Sequence, residues 1–205
     1  MIIESRKMIF FHIPKTGGNS VTSALIHYSD DQKLKKRKQD GVERFELRSA
    51  LSRRITKHSD FGDYYKALGP NIFTYYKFAI LRNPFDRVES FYFSPHRNVD
   101  AFHEKMFYSV LAKMRTFSNF VSGGAFDRIE TCLNAGSIQE IVPFERMATD
   151  LPNLLNRFDL NATLPHINKS RPRQQRLPWS EEMKGAVRYK FHDEIKFGNY
   201  QFRES

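Results

Sequence analysis

The chain has 205 residues, is 40% hydrophobic with 19 Phe, and carries 33 Lys and Arg against 23 Asp and Glu, a formal net charge of +10. That length suits one domain spanning 1–205, no apolar stretch approaches the ~20 residues of a membrane span, the apolar run after Lys7 is too short for a secretion signal, and Cys132, the single cysteine, excludes an internal disulfide, all of which fits a cytoplasmic protein. So basic a surface attracts polyanions such as sulfated or uronate-bearing glycans, a highly charged nucleotide or nucleic acid; neither zinc-finger spacing nor an RNA-recognition signature accompanies it, which sets nucleic acid aside.

In chain order, residues 8–13 read as a buried strand and 19–28 as a helix. Residues 30–70 are polar, charged and irregular, with short helical pieces expected around 42–55 and 64–68. The densest basic run, Lys33-Leu34-Lys35-Lys36-Arg37-Lys38, reads either as a solvated loop or as a docking strip for an acidic acceptor. Residues 75–81 form a second buried strand, broken by Arg82-Asn83-Pro84, and a helix starts near Pro84. Residues 100–121 carry a helical pattern that Thr116 can interrupt by capping a new start and that Gly123-Gly124 ends. A third strand is expected at 140–144, then a helix through 151–158 and a basic loop over 165–178. Ser180 caps a last helix with Met183, Val187, Phe191 and Ile195 inward and Gly198 just past its end. Strands alternating with helices predict an α/β fold, a three-layer sandwich around a mainly parallel sheet. The segments 30–70 and 96–135 are insertions placed to shape an acceptor site.

The chemistry concentrates in His12-Ile13-Pro14-Lys15-Thr16-Gly17-Gly18-Asn19-Ser20, between the first strand and the first helix. Glycines let the backbone bring its N–H groups against an anion, and the following helix aims its positive end at the same point. Lys15 adds a full charge, and Thr16, Asn19 and Ser20 add hydroxyl and amide donors. An ATP-binding P-loop places its lysine after the last glycine. Here Lys15 precedes Gly17-Gly18, which describes a phosphate loop of another kind. A kinase of nucleotides or small molecules also requires acidic magnesium ligands, and none stands in a recognisable pattern. A non-catalytic polyanion-binding module is the other rival. No cysteine or histidine spacing marks a metal site. Arg82 leaves the second strand into the same crevice and can present a bidentate fork to a phosphate, with Ser90 eight residues on. The alternative is an Arg82–Asp86 pair with Ser90 on the helix surface.

Together these pieces resemble sulfotransferases. His12 to Ser20 is similar to their 5′-phosphosulfate loop, and Phe78-Ala79-Ile80-Leu81-Arg82-Asn83-Pro84-Phe85-Asp86-Arg87-Val88-Glu89-Ser90 to their 3′-phosphate element. Val142 to Met147, Leu164 to Ser170 and Phe191 to Tyr200 extend the likeness toward the heparan and uronyl 2-O-sulfotransferase type. The resemblance implies the fold of the nucleotide kinases and a donor, 3′-phosphoadenosine 5′-phosphosulfate, whose sulfuryl group moves to a hydroxyl, with a carbohydrate acceptor and no metal. On the matched positions, Lys15, Thr16, Gly17, Gly18, Asn19 and Ser20 hold the 5′-phosphosulfate, Arg82 and Ser90 the 3′-phosphate, and Asn168, Lys169 and Ser170 close over the nucleotide. Asn19 stands where threonine is common. Lys15 suits the stabilisation of leaving-group charge. A hydroxyl acceptor needs a base, and histidine serves near neutral pH. Of the seven histidines, His58 falls in the interval where the resembled enzymes keep their base. His166 is the second choice, and Glu43 and Glu46 are weaker ones.

Overall fold

The structure, a computed structural model, describes residues 1–39, 42–94, 97, 99, 101–165 and 176–203. Strand β1 (Ile2–Ile3) runs antiparallel to β2 (Met8–Phe11), and helix α1 (Gly18–Leu25) follows β2. A two-stranded hairpin, β3 (Gln32–Gln39) and β4 (Val42–Arg48), precedes α2 (Phe61–Leu68). Next come β5 (Tyr76–Leu81), α3 (Pro84–Tyr92), α4 (Glu104–Lys113), α5 (Phe117–Ser122), α6 (Ile129–Asn134), β6 (Glu140–Pro143) and α7 (Met147–Asn156). Helices α8 (Glu181–Lys190) and α9 (His192–Gly198) complete the order.

The central sheet has the order β1-β2-β5-β6. Strands β2, β5 and β6 are parallel, in register at Phe11↔Ala79 and Leu81↔Pro143, so the loops after all three open on one edge. Alternation along the strands feeds two cores. Ile9, Phe11, Ala79 and Leu81 pack with Tyr64, Phe117, Phe120 and Ile129 from α2, α5 and α6. Met8, Phe10, Phe78, Ile80 and Val142 pack with Val21 and Leu25 of α1, Leu151 and Leu154 of α7, and Phe45 and Leu47 of the hairpin. Helices thus cover a mostly parallel sheet, as the α/β reading requires. A third cluster joins α3, α4 and α8 through Val88, Tyr92, Phe107 and Met183.

The stretch expected to be irregular and partly helical differs most. Residues 32–39 and 42–48 are strands, because Phe45 and Leu47 alternate with exposed Arg44, Glu46 and Arg48 and are buried at 5% and 6% exposure. The basic run is therefore strand β3 and not a loop. The pattern over 100–121 divides at Thr116, whose side chain accepts from Asn119 N, and α5 ends at Gly123 with φ of 66°. Ser180 caps α8 by accepting from Met183 N. That last helix does not run unbroken to Ile195. Phe191, at φ −111° and ψ 29°, bends the chain into α9, and Asn199, not Gly198, takes the left-handed position after it.

Candidate active site

The turn after β2 depends on backbone conformations that few residues adopt. Lys15 stands at φ 69° and Gly17 at φ 80°. A Cβ on Gly17 would lie 2.9 Å from the Phe144 ring, and one on Gly18 would lie 2.2 Å from the His12 ring. Helix α1 can begin at Gly18, tight against His12, only because no side chain intervenes. Thr16 is buried and its hydroxyl donates to Ile13 O at 2.9 Å, so that hydroxyl ties the turn together instead of pointing a proton at a ligand. Ser20 is buried, with its N–H on Gly17 O at 3.0 Å, and Asn19 is half-buried in the first turn of α1.

Arg82 leaves the end of β5 and crosses to this turn. Its Nη1 donates to Lys15 O at 3.0 Å, and its guanidinium lies 4.4 Å above the Phe144 ring. Phe144 follows β6, so one cation is braced by the ends of all three parallel strands. The Lys15 ammonium donates to Ser94 Oγ at 3.4 Å. Ser94 is buried just beyond α3, whereas Ser90 sits half-buried inside that helix one turn earlier. Lys15 and Arg82 are therefore brought together. Asn168, Lys169 and Ser170, with His166, lie outside the described residues.

His58 approaches from the segment before α2. Its Nδ1 is 2.8 Å from His12 O, and the two rings meet edge to face at 4.7 Å. A carbonyl only accepts, so Nδ1 carries the proton and Nε2 is left as the proton acceptor of the neutral ring. His58 is exposed, yet the protein crowding its inner side lowers its pKa to about 4. Lost solvation is the main cause, and the charges of Lys57 and Lys15 add to it against the opposing bond to His12 O. The bond to His12 O ties the His58 ring to the start of the same turn that carries Lys15. His12 is fully desolvated and its pKa is pushed well below the ordinary value. Its Nδ1 lies 3.3 Å from Thr22 Oγ1, and it serves as a neutral wedge between α1 and His58. Glu46 points to solvent and pairs with Lys36 on the hairpin, away from this crevice. The side chain of Glu43 is outside the described residues. Among the described residues, no group of three or more His, Cys, Asp or Glu side chains forms a metal-ligand set.

Sequence reasoning missed Ser94, Phe144 and the structural part of His12. Their roles arise from tertiary contact, and only the aromatic after the third strand leaves a trace in the pattern. A glycine turn and an arginine thus meet at the carboxyl ends of adjacent parallel strands, the edge at which open α/β sheets bind their ligands. The sulfotransferase family model matches residues 1–176, and the chain belongs to the sulfotransferase family. No curated protein and no solved structure matches it. No helix among the described residues is long and apolar enough to cross a membrane.

Proposed function

We propose that the chain transfers the sulfuryl group of 3′-phosphoadenosine 5′-phosphosulfate to a hydroxyl of a carbohydrate, with His58 as the base. The observation that carries this reading is the convergence of Arg82 and His58 on the turn that bears Lys15: Arg82 Nη1 bonds Lys15 O at 3.0 Å, and His58 Nδ1 bonds His12 O at 2.8 Å. The residues suit such a donor. The Gly17-Gly18 turn admits close backbone approach, and two cationic side chains from separate strand ends match a nucleotide phosphorylated at two places. The donor supplies an activated sulfuryl group on a phosphate oxygen.

Lys15 and the amides at the start of α1 hold the 5′ end, and Arg82 with Ser90 holds the 3′-phosphate. The segment bearing Asn168, Lys169 and Ser170 closes the nucleotide site. His58 Nε2 takes the acceptor hydroxyl proton as the new oxygen–sulfur bond forms and the bond to the phosphate oxygen breaks. Lys15 stabilises the charge that develops on that leaving oxygen. Below neutrality the free protein already keeps His58 in its accepting form, because its pKa is lowered to about 4. Exposed Lys35, Lys36, Arg37, Arg44 and Arg48 make the hairpin a positive face suited to an anionic glycan.

Two measurements test the reading. Adenosine 3′,5′-bisphosphate raises the melting temperature, and ATP–Mg²⁺ raises it less; the reverse order favours a kinase. Radiolabelled sulfate passes from the donor to members of a glycan panel ahead of small phenols, and transfer to phenols alone overturns the carbohydrate assignment.

A further inference from the structure

Arg87 belongs to none of the roles above, yet it is the most heavily bonded buried cation near the loop. It points from α3 into the interior with 3% of its side chain exposed. Its Nη1 is 3.3 Å from Glu194 Oε2 of α9, whose side chain is 1% exposed. Nη2 donates to Arg115 O at 2.8 Å, and Nε to Pro14 O at 3.4 Å. Pro14 is the residue before Lys15 in the phosphate loop. Arg115 in turn pairs with Asp60 Oδ2 at 2.7 Å. Asp60 is two residues beyond His58 and caps α2 by accepting from Asp63 N at 2.9 Å. Glu194 is itself fixed, because its other oxygen accepts from Phe117 N at the start of α5. One guanidinium therefore holds the loop that carries Lys15 and the stretch that anchors the His58 segment, and a clamped carboxylate holds the guanidinium.

We infer that Arg87, oriented by Glu194, is a positioning residue that sets the phosphate loop against the segment bearing His58. The functional part of this inference rests on the proposed donor site; the mechanical part does not. A planar fork with five N–H donors can serve Pro14 O, Arg115 O and Glu194 at once, whereas an ammonium keeps the charge but not that geometry. Loss of the Pro14 bond frees the turn whose left-handed residues orient Lys15, and small misplacements of anchoring groups weaken binding and transfer steeply.

The test uses the full chain with Arg87→Lys. Amide hydrogen exchange in the ligand-free protein is expected to accelerate about tenfold or more over residues 15–18 and 61–64, with the β5 amides unchanged. Calorimetry is expected to give a dissociation constant for adenosine 3′,5′-bisphosphate about 10–100-fold weaker than that of the unaltered protein. If Arg87→Lys does not fold, Glu194→Gln, which keeps the shape and the acceptor for Phe117 N, is read by the same two measurements. A folded variant with unchanged exchange at residues 15–18 overturns the inference. Faster exchange in the variant with no bisphosphate binding by the unaltered protein leaves the positioning role standing and overturns the donor reading instead.

Discussion

At the scale of single residues, two titrating groups with lowered pKa values act in different pH windows, one on activity and one on stability. His58, the proposed base, is held as a neutral ring with Nδ1 on His12 O. Its pKa is lowered to about 4, so the accepting form is lost only as pH falls below the ordinary histidine range. The acid limb of kcat/KM is therefore expected below pH 6.5, with a plateau through neutrality. His58→Ala is expected to cost about 10²–10⁴-fold in transfer rate while leaving bisphosphate affinity within a factor of a few. An equal rate in the variant removes His58 from the chemistry. Lys77 is the other case. It is 0% exposed, donating to Ile72 O at 3.0 Å and Tyr75 O at 2.7 Å, and desolvation lowers its pKa from 10.5 to about 8. Its folded pKa lies below its unfolded one, so the unfolded chain binds the extra proton between pH 8 and 10.5, and stability rises with pH across that window. The gain is at most about 3–4 kcal/mol, at ~1.4 kcal/mol per pKa unit. Tyrosines titrate nearby, so the measurement is the difference between denaturant midpoints of the unaltered chain and Lys77→Met from pH 7.5 to 10. The difference is expected to shift in favour of the unaltered chain as pH rises, and a constant difference refutes the assignment.

At the scale of elements, what was legible depended on whether local sequence and tertiary packing agreed. Strand, glycine turn and helix over 8–25 could be read because a continuous apolar run meets a glycine pair whose positions packing also demands. Lys15 and Arg82 could be placed for the same reason, since strand ends on a parallel sheet fix where the next residue emerges. The hairpin could not. Five of the six residues 33–38 are charged, and strand preference is too weak to mark such a run; only Phe45 and Leu47, buried under it, decide its conformation. The bend at Phe191 was likewise hidden, since the backbone bond from Ile195 N to Phe191 O at 2.9 Å keeps a helical spacing across it. The bend aims Asp193 and Glu194 at the first N–H groups of α6 and α5, which is a tertiary requirement. The exposed charges of the hairpin lead to a prediction at this scale. Replacing Lys35, Lys36 and Arg37 together by glutamine is expected to raise KM for an anionic acceptor and flatten its salt dependence. KM for the donor and the melting temperature should change little, because these side chains are exposed. An unchanged acceptor KM assigns the positive face to solubility alone.

At the scale of the whole molecule, the family match ends at residue 176, but the remaining segment is not an appendage. Helix α9 caps α5 and α6, and Tyr200 donates to Leu81 O, the residue before Arg82, at 3.4 Å and to Glu145 Oε2 at 3.2 Å. Asn83 Nδ2 donates to Gln201 O at 2.9 Å, and Phe202 packs against Phe85 and Trp179. These bonds join the C-terminal segment to the first residues after β5, so the sheet and the third cluster should unfold together. Trp179 is the only tryptophan and lies in that cluster, and circular dichroism reports the sheet and helices as a whole. The two signals are expected to give coincident denaturation curves for the unaltered chain. Glu194→Ala leaves the buried Arg87 charge uncompensated and removes the acceptor of Phe117 N, which is expected to cost about 3–5 kcal/mol. If α9 is the joint between the two bodies, the tryptophan transition of this variant moves to lower denaturant ahead of the dichroism transition. Coincident curves in Glu194→Ala, shifted equally, would mean that the Tyr200 and Asn83 bonds suffice to keep the chain one cooperative unit.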